Sequence, residues 1–219
     1  MTRSKICGLT RVQDVDAAVR AGVDAIGLVF YPPSPRAVTI AQAQVLAQHI
    51  SPFVQLVGLF VDASVDEIQT VLRSVPLDLL QLHGDETPEQ CQQIAQATNR
   101  RFIKALQVKP DMDLLAEIAR YQAVGASGIL LDAWHPDLKG GTGHAFDWRR
   151  WPAAQIPLIL AGGLTPQNVR EAIAQTAPYA VDVSGGVEEI DPQTGKARKG
   201  CKDTQLIQQF LAGVHDGQC

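Results

Sequence analysis

The sequence predicts α/β architecture: one closed, near-minimal (β/α)8 barrel, with residues 1–219 forming a single domain. Three observations carry this. Eight short runs rich in Val, Ile and Leu recur along the chain, each followed by a segment of helical period. Most of these runs lack polar alternation, as strands covered on both faces should. Sharing 219 residues among eight units gives about 27 each, close to the ~30 that a strand–helix pair with short loops needs. Barrels of this type typically run to ~250 residues. The rival doubly wound sheet expects a glycine fingerprint after its first strand, and Cys7-Gly8-Leu9-Thr10 is not one.

Composition narrows the function classes. Hydrophobic residues make up 46% and charged residues 19%, so the chain can bury a large core and is not a disordered polymer. Its formal charge is −4, and no Lys/Arg stripe interleaves with aromatics, which argues against nucleic acid. No window approaches a membrane span, and Met1 to Arg11 does not resemble a secretion signal. The cysteines, Cys7, Cys91, Cys201 and Cys219, show no Cys-x-x-Cys spacing. Neither a metal centre nor a disulfide framework is therefore expected, and a cytoplasmic location is.

The elements follow in order. The first strand starts near Arg3 and ends at Cys7; Thr10 and Gln13 then stand at capping-box spacing ahead of the stripe Val12, Val15, Val19. The second starts near Asp24 and runs into Phe30-Tyr31-Pro32-Pro33-Ser34-Pro35-Arg36, with Thr39 and Gln42 opening its helix. The third starts near Phe53 and ends near Val61-Asp62. There Asp62 reads as a helix cap, and Ser64 with Glu67 opens the stripe Val65, Ile68, Leu72. The fourth starts near Leu77 and ends at His83-Gly84, before Thr87, Gln90 and a Pro88 suited to the first helical position. The fifth, from Arg101, contains Lys104 and precedes the stripe Leu114, Ile118, Tyr121.

The sixth strand, from Gly128, ends at Asp132, and there the pattern breaks. Residues 133–147 are rich in Gly, Pro and His and predict a long loop with a shortened or irregular helix near Trp148. The seventh starts near Pro157 and ends at Ala161-Gly162-Gly163, with Thr165-Pro166 opening a helix. The eighth starts near Tyr179 and ends in Asp182-Val183-Ser184-Gly185-Gly186. Residues 188–202 read as an exposed hairpin, before a final helix faced by Leu206, Ile207, Phe210, Leu211 and Val214.

Active sites of such barrels sit where strands end and the following loops begin. A thiol (Cys7), an arginine (Arg36), a histidine (His83) and two carboxylates (Asp132, Asp182) are thereby expected at one mouth. Lys5, two residues before Cys7, shares its strand face. It either stabilises a thiolate or serves another partner. Glycines Gly141 and Gly143, Gly162 and Gly163, and Gly185 and Gly186 after Ser184 follow strands six, seven and eight. Backbone N–H groups approach an anion closely where side chains are absent, and barrels often bind phosphate on the loops after strands seven and eight. A small phosphorylated substrate is the expected partner.

The motifs resemble those of phosphoribosylanthranilate isomerases along essentially the whole chain. They are Lys5 to Thr10, Gly27 to Arg36, Gln81 to Gly84, Leu130 to Asp132 with Gly140 to Gly143 and Phe146 to Trp148, Gly162 to Leu164 with Asn168-Val169, and Val181 to Glu188. The resemblance implies an enzyme of tryptophan biosynthesis. It converts N-(5-phospho-β-D-ribosyl)anthranilate into 1-(2-carboxyphenylamino)-1-deoxy-D-ribulose 5-phosphate without metal or cofactor. It implies Asp132 as general acid and Cys7 as general base, Arg36 as clamp for the anthranilate carboxylate, and His83 and Asp182 as further substrate-binding residues. An acid of this kind needs a pKa raised by burial, and a thiolate base needs a nearby cation.

Simpler roles stand beside these. His83 can cap a helix, Asp182 can hold the loop carrying Ser184, and Trp148 and Trp134 can serve packing. Three other functions offer alternatives. The related aminoaldose–ketose isomerase of histidine biosynthesis resembles a paired-aspartate design, with Asp at the position of Cys7. A non-catalytic phosphate-binding barrel has no need of the Cys7/Asp132 pair. Indole-glycerol-phosphate synthase is expected to carry a segment before the first strand. A monomer and a homodimer are equally compatible with the sequence.

Overall fold

The computed structural model describes residues 1–133 and 147–217. Eight strands are present, each starting within two residues of its expected position: β1 (Arg3–Cys7), β2 (Ala25–Val29), β3 (Gln55–Phe60), β4 (Leu79–Leu82), β5 (Arg101–Val108), β6 (Gly128–Ala133), β7 (Leu158–Leu160) and β8 (Ala180–Val183). They pair in sequence order into a closed parallel barrel. The closing β8–β1 pair sets Asp182 directly beside Lys5.

Seven α-helices clothe the barrel among the described residues: α1 (Val12–Arg20), α2 (Ile40–Ala47), α3 (Val65–Leu72), α4 (Pro88–Thr98), α5 (Leu114–Ala123), α6 (Val169–Thr176) and α7 (Thr204–Asp216). Between β6 and β7 only a 3-10 turn, Trp148–Arg150, is described, as the shortened helix near Trp148 predicts. No helix among the described residues is long and apolar enough to cross a membrane.

Capping chemistry decides several helix starts. Thr39/Gln42, Ser64/Glu67 and Thr87/Gln90 form reciprocal capping boxes, with Pro88 in the first turn. The fourth expected box does not form. Arg11 precedes α1 without a side-chain cap, because the Thr10 hydroxyl donates to the Gly200 carbonyl at 2.7 Å. Asp62 is not a cap either: Ser64 caps α3, while the Asp62 carboxylate accepts from the Asp85 N–H in the next loop. Pro166 lies in the turn before α6, which begins at Val169.

Strand parity splits the core into two layers. Val57, Leu79, Ile103, Ala105, Leu130, Ile159 and Ala161 pack together with no helical residue among them, so they fill the barrel interior. Their strand neighbours Phe60, Leu80, Phe102 and Leu131 pack outward with helix residues such as Ile68, Ile118 and Ile173. Continued one step towards the strand ends, the inward parity delivers Cys7, Asp132, His83 and Asp182 to the mouth.

The segment 188–202 is a hairpin of two antiparallel strands, β9 (Glu188–Ile190) and β10 (Ala197–Lys202). Its tip is exposed, as expected. Its root is not: Glu188 and Lys202 pair in register and are each 1% exposed.

Candidate active site

Four strands bring a set of buried polar groups together at the mouth. From β1, the Lys5 ammonium donates to Asp182 Oδ1 on β8 at 2.9 Å, with both side chains buried. Cys7 lies beside Lys5, and Gly27 on β2 makes room for both. A β-carbon there would stand 2.7 Å from the Cys7 Sγ and 3.0 Å from the Lys5 Nζ. The apolar side of Cys7 packs with Val29 and Leu59. Asp182 in turn feels the charge of Asp132 on β6. Asp132 Oδ2 lies 3.5 Å from His83 Nε2, just past β4, while His83 Nδ1 bonds the Gln81 side-chain amide at 2.8 Å. The His83 Nε2 and Gln81 Oε1 atoms are buried without a hydrogen-bond partner among the described residues.

The charges of these groups are set by burial and by one another. Burial works against the Lys5 ammonium, but Asp182 and the Cys7 thiol more than offset it, so its pKa is raised. Burial pushes the Cys7 thiol up; Lys5 pulls it down without cancelling that, and Asp182 adds to the rise. The expected cation beside Cys7 is therefore present, yet burial outweighs it and favours the protonated thiol.

The loop carrying His83 is anchored from outside the barrel. Lys104 of β5 is buried with outward parity and donates to the Leu82 and Gly84 carbonyls and to Glu86 Oε2 at 2.8 Å. Glu86 also accepts from the Gly84 and Asp62 N–H groups. Both charges of this pair go to loop geometry, and neither reaches the mouth.

The glycine loops after β7 and β8 touch each other. Gly162 has φ +85°, and a β-carbon on it would stand 2.5 Å from the Ala133 nitrogen and 2.9 Å from Asp132 Oδ1. Glycine there keeps space around the carboxylate as well as turning the chain. A β-carbon on Gly186 would overlap the Leu164 carbonyl. Ser184 opens a single 3-10 turn, Gly185–Val187, beside the Gly162–Gly163 turn. Gly141 and Gly143 lie outside the described residues.

Arg36 reaches this rim, with its Nη2 3.6 Å from where a β-carbon of Gly185 would stand. One fork of its guanidinium is already filled by Glu188, through Nε at 2.6 Å and Nη2 at 3.0 Å. Its Nη1 bonds none of the described residues, so an end-on edge remains for a second carboxylate. Buried Lys202 donates to Glu188 Oε1 and the Ser184 carbonyl, and its pKa is pulled by burial down to about 8.

Glu188 pays the opposite electrostatic balance. Burial alone pushes it up, but Arg36, Lys202 and the Gly200 N–H together hold its carboxyl down at about 2. Its folded pKa lies below its unfolded value near 4.5, so its contribution is fully present above pH 4.5 and lost as pH falls towards 2. That contribution is roughly 3 kcal/mol. Urea titrations between pH 5 and 2.5 should therefore show a steeper loss of stability in the wild type than in Glu188→Gln. Parallel curves would assign the acid sensitivity elsewhere.

Residues 4–212 match the family model of N-(5′-phosphoribosyl)anthranilate isomerase. The chain belongs to that family. The N-(5′-phosphoribosyl)anthranilate isomerase of Acinetobacter calcoaceticus is 65% identical over 216 residues, covering 99% of this chain and 98% of the relative. The solved phosphoribosyl anthranilate isomerase of Thermus thermophilus superposes with a TM-score of 0.81 at 33% identity, covering 98% of each chain. A second solved isomerase, in complex with reduced 1-(o-carboxyphenylamino)-1-deoxyribulose 5-phosphate, superposes at 0.77 with 36% identity, covering 98% of this chain and 99% of the other.

Phosphoribosylanthranilate isomerases are enzymes, and the mouth of this member gathers Cys7, His83, Asp132 and Asp182 as the strand ends predict. Arg36 stands at the phosphate-loop rim rather than among those groups. Sequence reasoning missed Gln81, Glu188 and Lys202. The first carried a readable signal: it shares strand parity with His83. The other two sit 14 residues apart at the ends of a hairpin, and nothing local marks either as buried.

Proposed function

We propose that the chain converts N-(5-phospho-β-D-ribosyl)anthranilate to 1-(2-carboxyphenylamino)-1-deoxy-D-ribulose 5-phosphate in tryptophan biosynthesis, with Asp132 as general acid and Cys7 as general base. The observation that supports this is the pair of buried contacts at the strand ends, Lys5–Asp182 beside Cys7 and His83–Asp132, which bring a thiol and a carboxyl group to one mouth. Asp132 protonates the ribose ring oxygen, the C1′–O bond breaks and an iminium forms. Cys7, as thiolate, removes the C2′ proton to give the enolamine. A proton delivered to C1′ and one lost from the C2′ hydroxyl complete the ketone. C1′ is reduced as C2′ is oxidised, so no external redox partner enters the balance.

The remaining groups bind. Asp182, fixed by Lys5, and His83 orient substrate hydroxyls or the amine. The backbone around Gly162, Gly163, Ser184, Gly185 and Gly186 takes the phosphate, with Gly141 and Gly143 assigned to the same site by their motif. The free edge of Arg36 takes the anthranilate carboxylate. Freshly made phosphoribosylanthranilate tests the activity, because turnover removes its anthranilate-type fluorescence; unchanged fluorescence refutes it.

Arg36→Ala should raise KM by about 30-fold, the cost of a lost charge-assisted pair, and change kcat far less. An unaltered KM would leave Arg36 as a partner of Glu188 alone.

A further inference from the structure

The hairpin root holds a charge that the reaction does not use. Lys202 is buried, with a side chain of 0% relative exposure. Its ammonium donates to the Ser184 carbonyl at 2.9 Å, the Ser184 hydroxyl at 3.4 Å and Glu188 Oε1 at 3.3 Å. An ammonium has three protons, so all are committed to the protein and none is left for a ligand. The backbone of Lys202 is equally fixed. Its N–H donates to Asp14 Oδ2 at 2.8 Å and its carbonyl accepts from Arg11 Nη2 at 2.9 Å, which ties it to the start of α1.

The two partners of that ammonium belong to different parts of the mouth. Ser184 leads into the turn after β8. Glu188 grips one fork of Arg36 and also accepts from the Gly200 N–H at 2.9 Å. We propose that Lys202 is a positioning residue that, through Ser184 and Glu188, holds the phosphate loop and the Arg36 carboxylate clamp each in its binding geometry. This rests on the reading of those two subsites given above. The geometry of each matters because an anion site displaced by an ångström forfeits most of its binding.

The arrangement also explains why a lysine tolerates this burial. Two buried cations, Arg36 and Lys202, share the Glu188 carboxylate, and the exposed Lys199 ammonium lies 3.6 Å from its Oε2, so positive charge outweighs negative around this carboxylate, beside the sites assigned to two anions. Burial draws the Lys202 pKa down to about 8, as expected where Glu188 is already engaged by Arg36. The hairpin is then a strut rooted in α1, and its exposed tip has no part in binding.

Lys202→Met keeps an unbranched side chain one atom shorter and removes the charge. Binding of inorganic phosphate and of anthranilate, measured separately by calorimetry, should each weaken by about tenfold, and substrate KM should rise while kcat stays within about threefold. Replacing the tip residues 192–195 by a two-residue turn should leave all of these unchanged. Wild-type affinity for both fragments in Lys202→Met would overturn the proposal, as would a tip variant that loses them. If circular dichroism shows Lys202→Met unfolded, Glu188→Gln decides. It should weaken anthranilate about tenfold and hold phosphate within about twofold, and unchanged anthranilate binding overturns the proposal. Fragment binding needs no turnover, so failure of the isomerase reading is seen separately, as a wild type that binds fragments but does not consume phosphoribosylanthranilate.

Discussion

Asp132→Asn is expected to lower kcat by roughly 10³-fold while a product analogue binds within about threefold of its wild-type affinity. The two side chains have nearly the same shape, so the packing of position 132 against the Gly162 turn and His83 is kept. What is lost is the proton. Opening the ribose ring leaves an alkoxide unless an acid protonates the oxygen as the C1′–O bond breaks, and an amide is no acid. Position supports this role: Asp132 is 5% exposed, and its Oδ1 faces the space that Gly162 keeps open. A competing explanation is that Asp132 serves only to hold His83, 3.5 Å away. His83→Ala separates the two. It should cost far less than Asp132→Asn if Asp132 is the acid, and the same amount if Asp132 merely orients the ring. Near-wild-type turnover in Asp132→Asn would remove it from the chemistry.

The barrel was legible because its signals are local. Strand runs, the stripes of α1, α3 and α5, and three capping boxes each depend on residues within a few positions of one another. Thr10 shows where such signals end. It has the same spacing to Gln13 as the successful boxes, but its hydroxyl is taken by a carbonyl 190 residues away. The catalytic candidates were legible for a related reason. In a parallel barrel, strand parity and strand end together fix a side chain in space, so Cys7, His83, Asp132 and Asp182 could be placed without knowing any contact.

The electrostatics were not legible in that way. Arg36 looked like an unencumbered clamp, because Glu188 is 152 residues away and meets it only once β8 has closed against β1. Lys202 ends a segment that reads as an exposed hairpin, and its burial is produced by the hairpin folding back onto α1. The pKa of Cys7 escaped for the same reason. The cation next to it was correctly expected from Lys5, but the size of the burial cost is a property of the closed mouth.

That cost shapes the second large effect. Cys7→Ala should also lower kcat by roughly 10³-fold, since no other polar group at the mouth is assigned to the C2′ proton. Cys7→Ser should recover little, because an alcohol is a far weaker acid than a thiol and yields almost no conjugate base near neutral pH. The pH dependence is more telling. With its pKa raised above the ordinary 9.0, Cys7 in the free enzyme stays protonated through neutrality. The thiolate fraction, and with it kcat/KM, should then climb about tenfold per pH unit up to about pH 8. In the complex the iminium places a positive charge beside the sulfur and favours its ionised form. The kcat profile should therefore level off at lower pH than kcat/KM. Lys5→Met removes a charge that now lowers the thiol and should move the kcat/KM curve to higher pH. The thiolate absorbance difference between wild type and Cys7→Ala reads the same ionisation directly and without substrate. A thiolate already formed below pH 8 in the free enzyme, or a Cys7→Ala variant that turns over at the wild-type rate, would refute this account of the base.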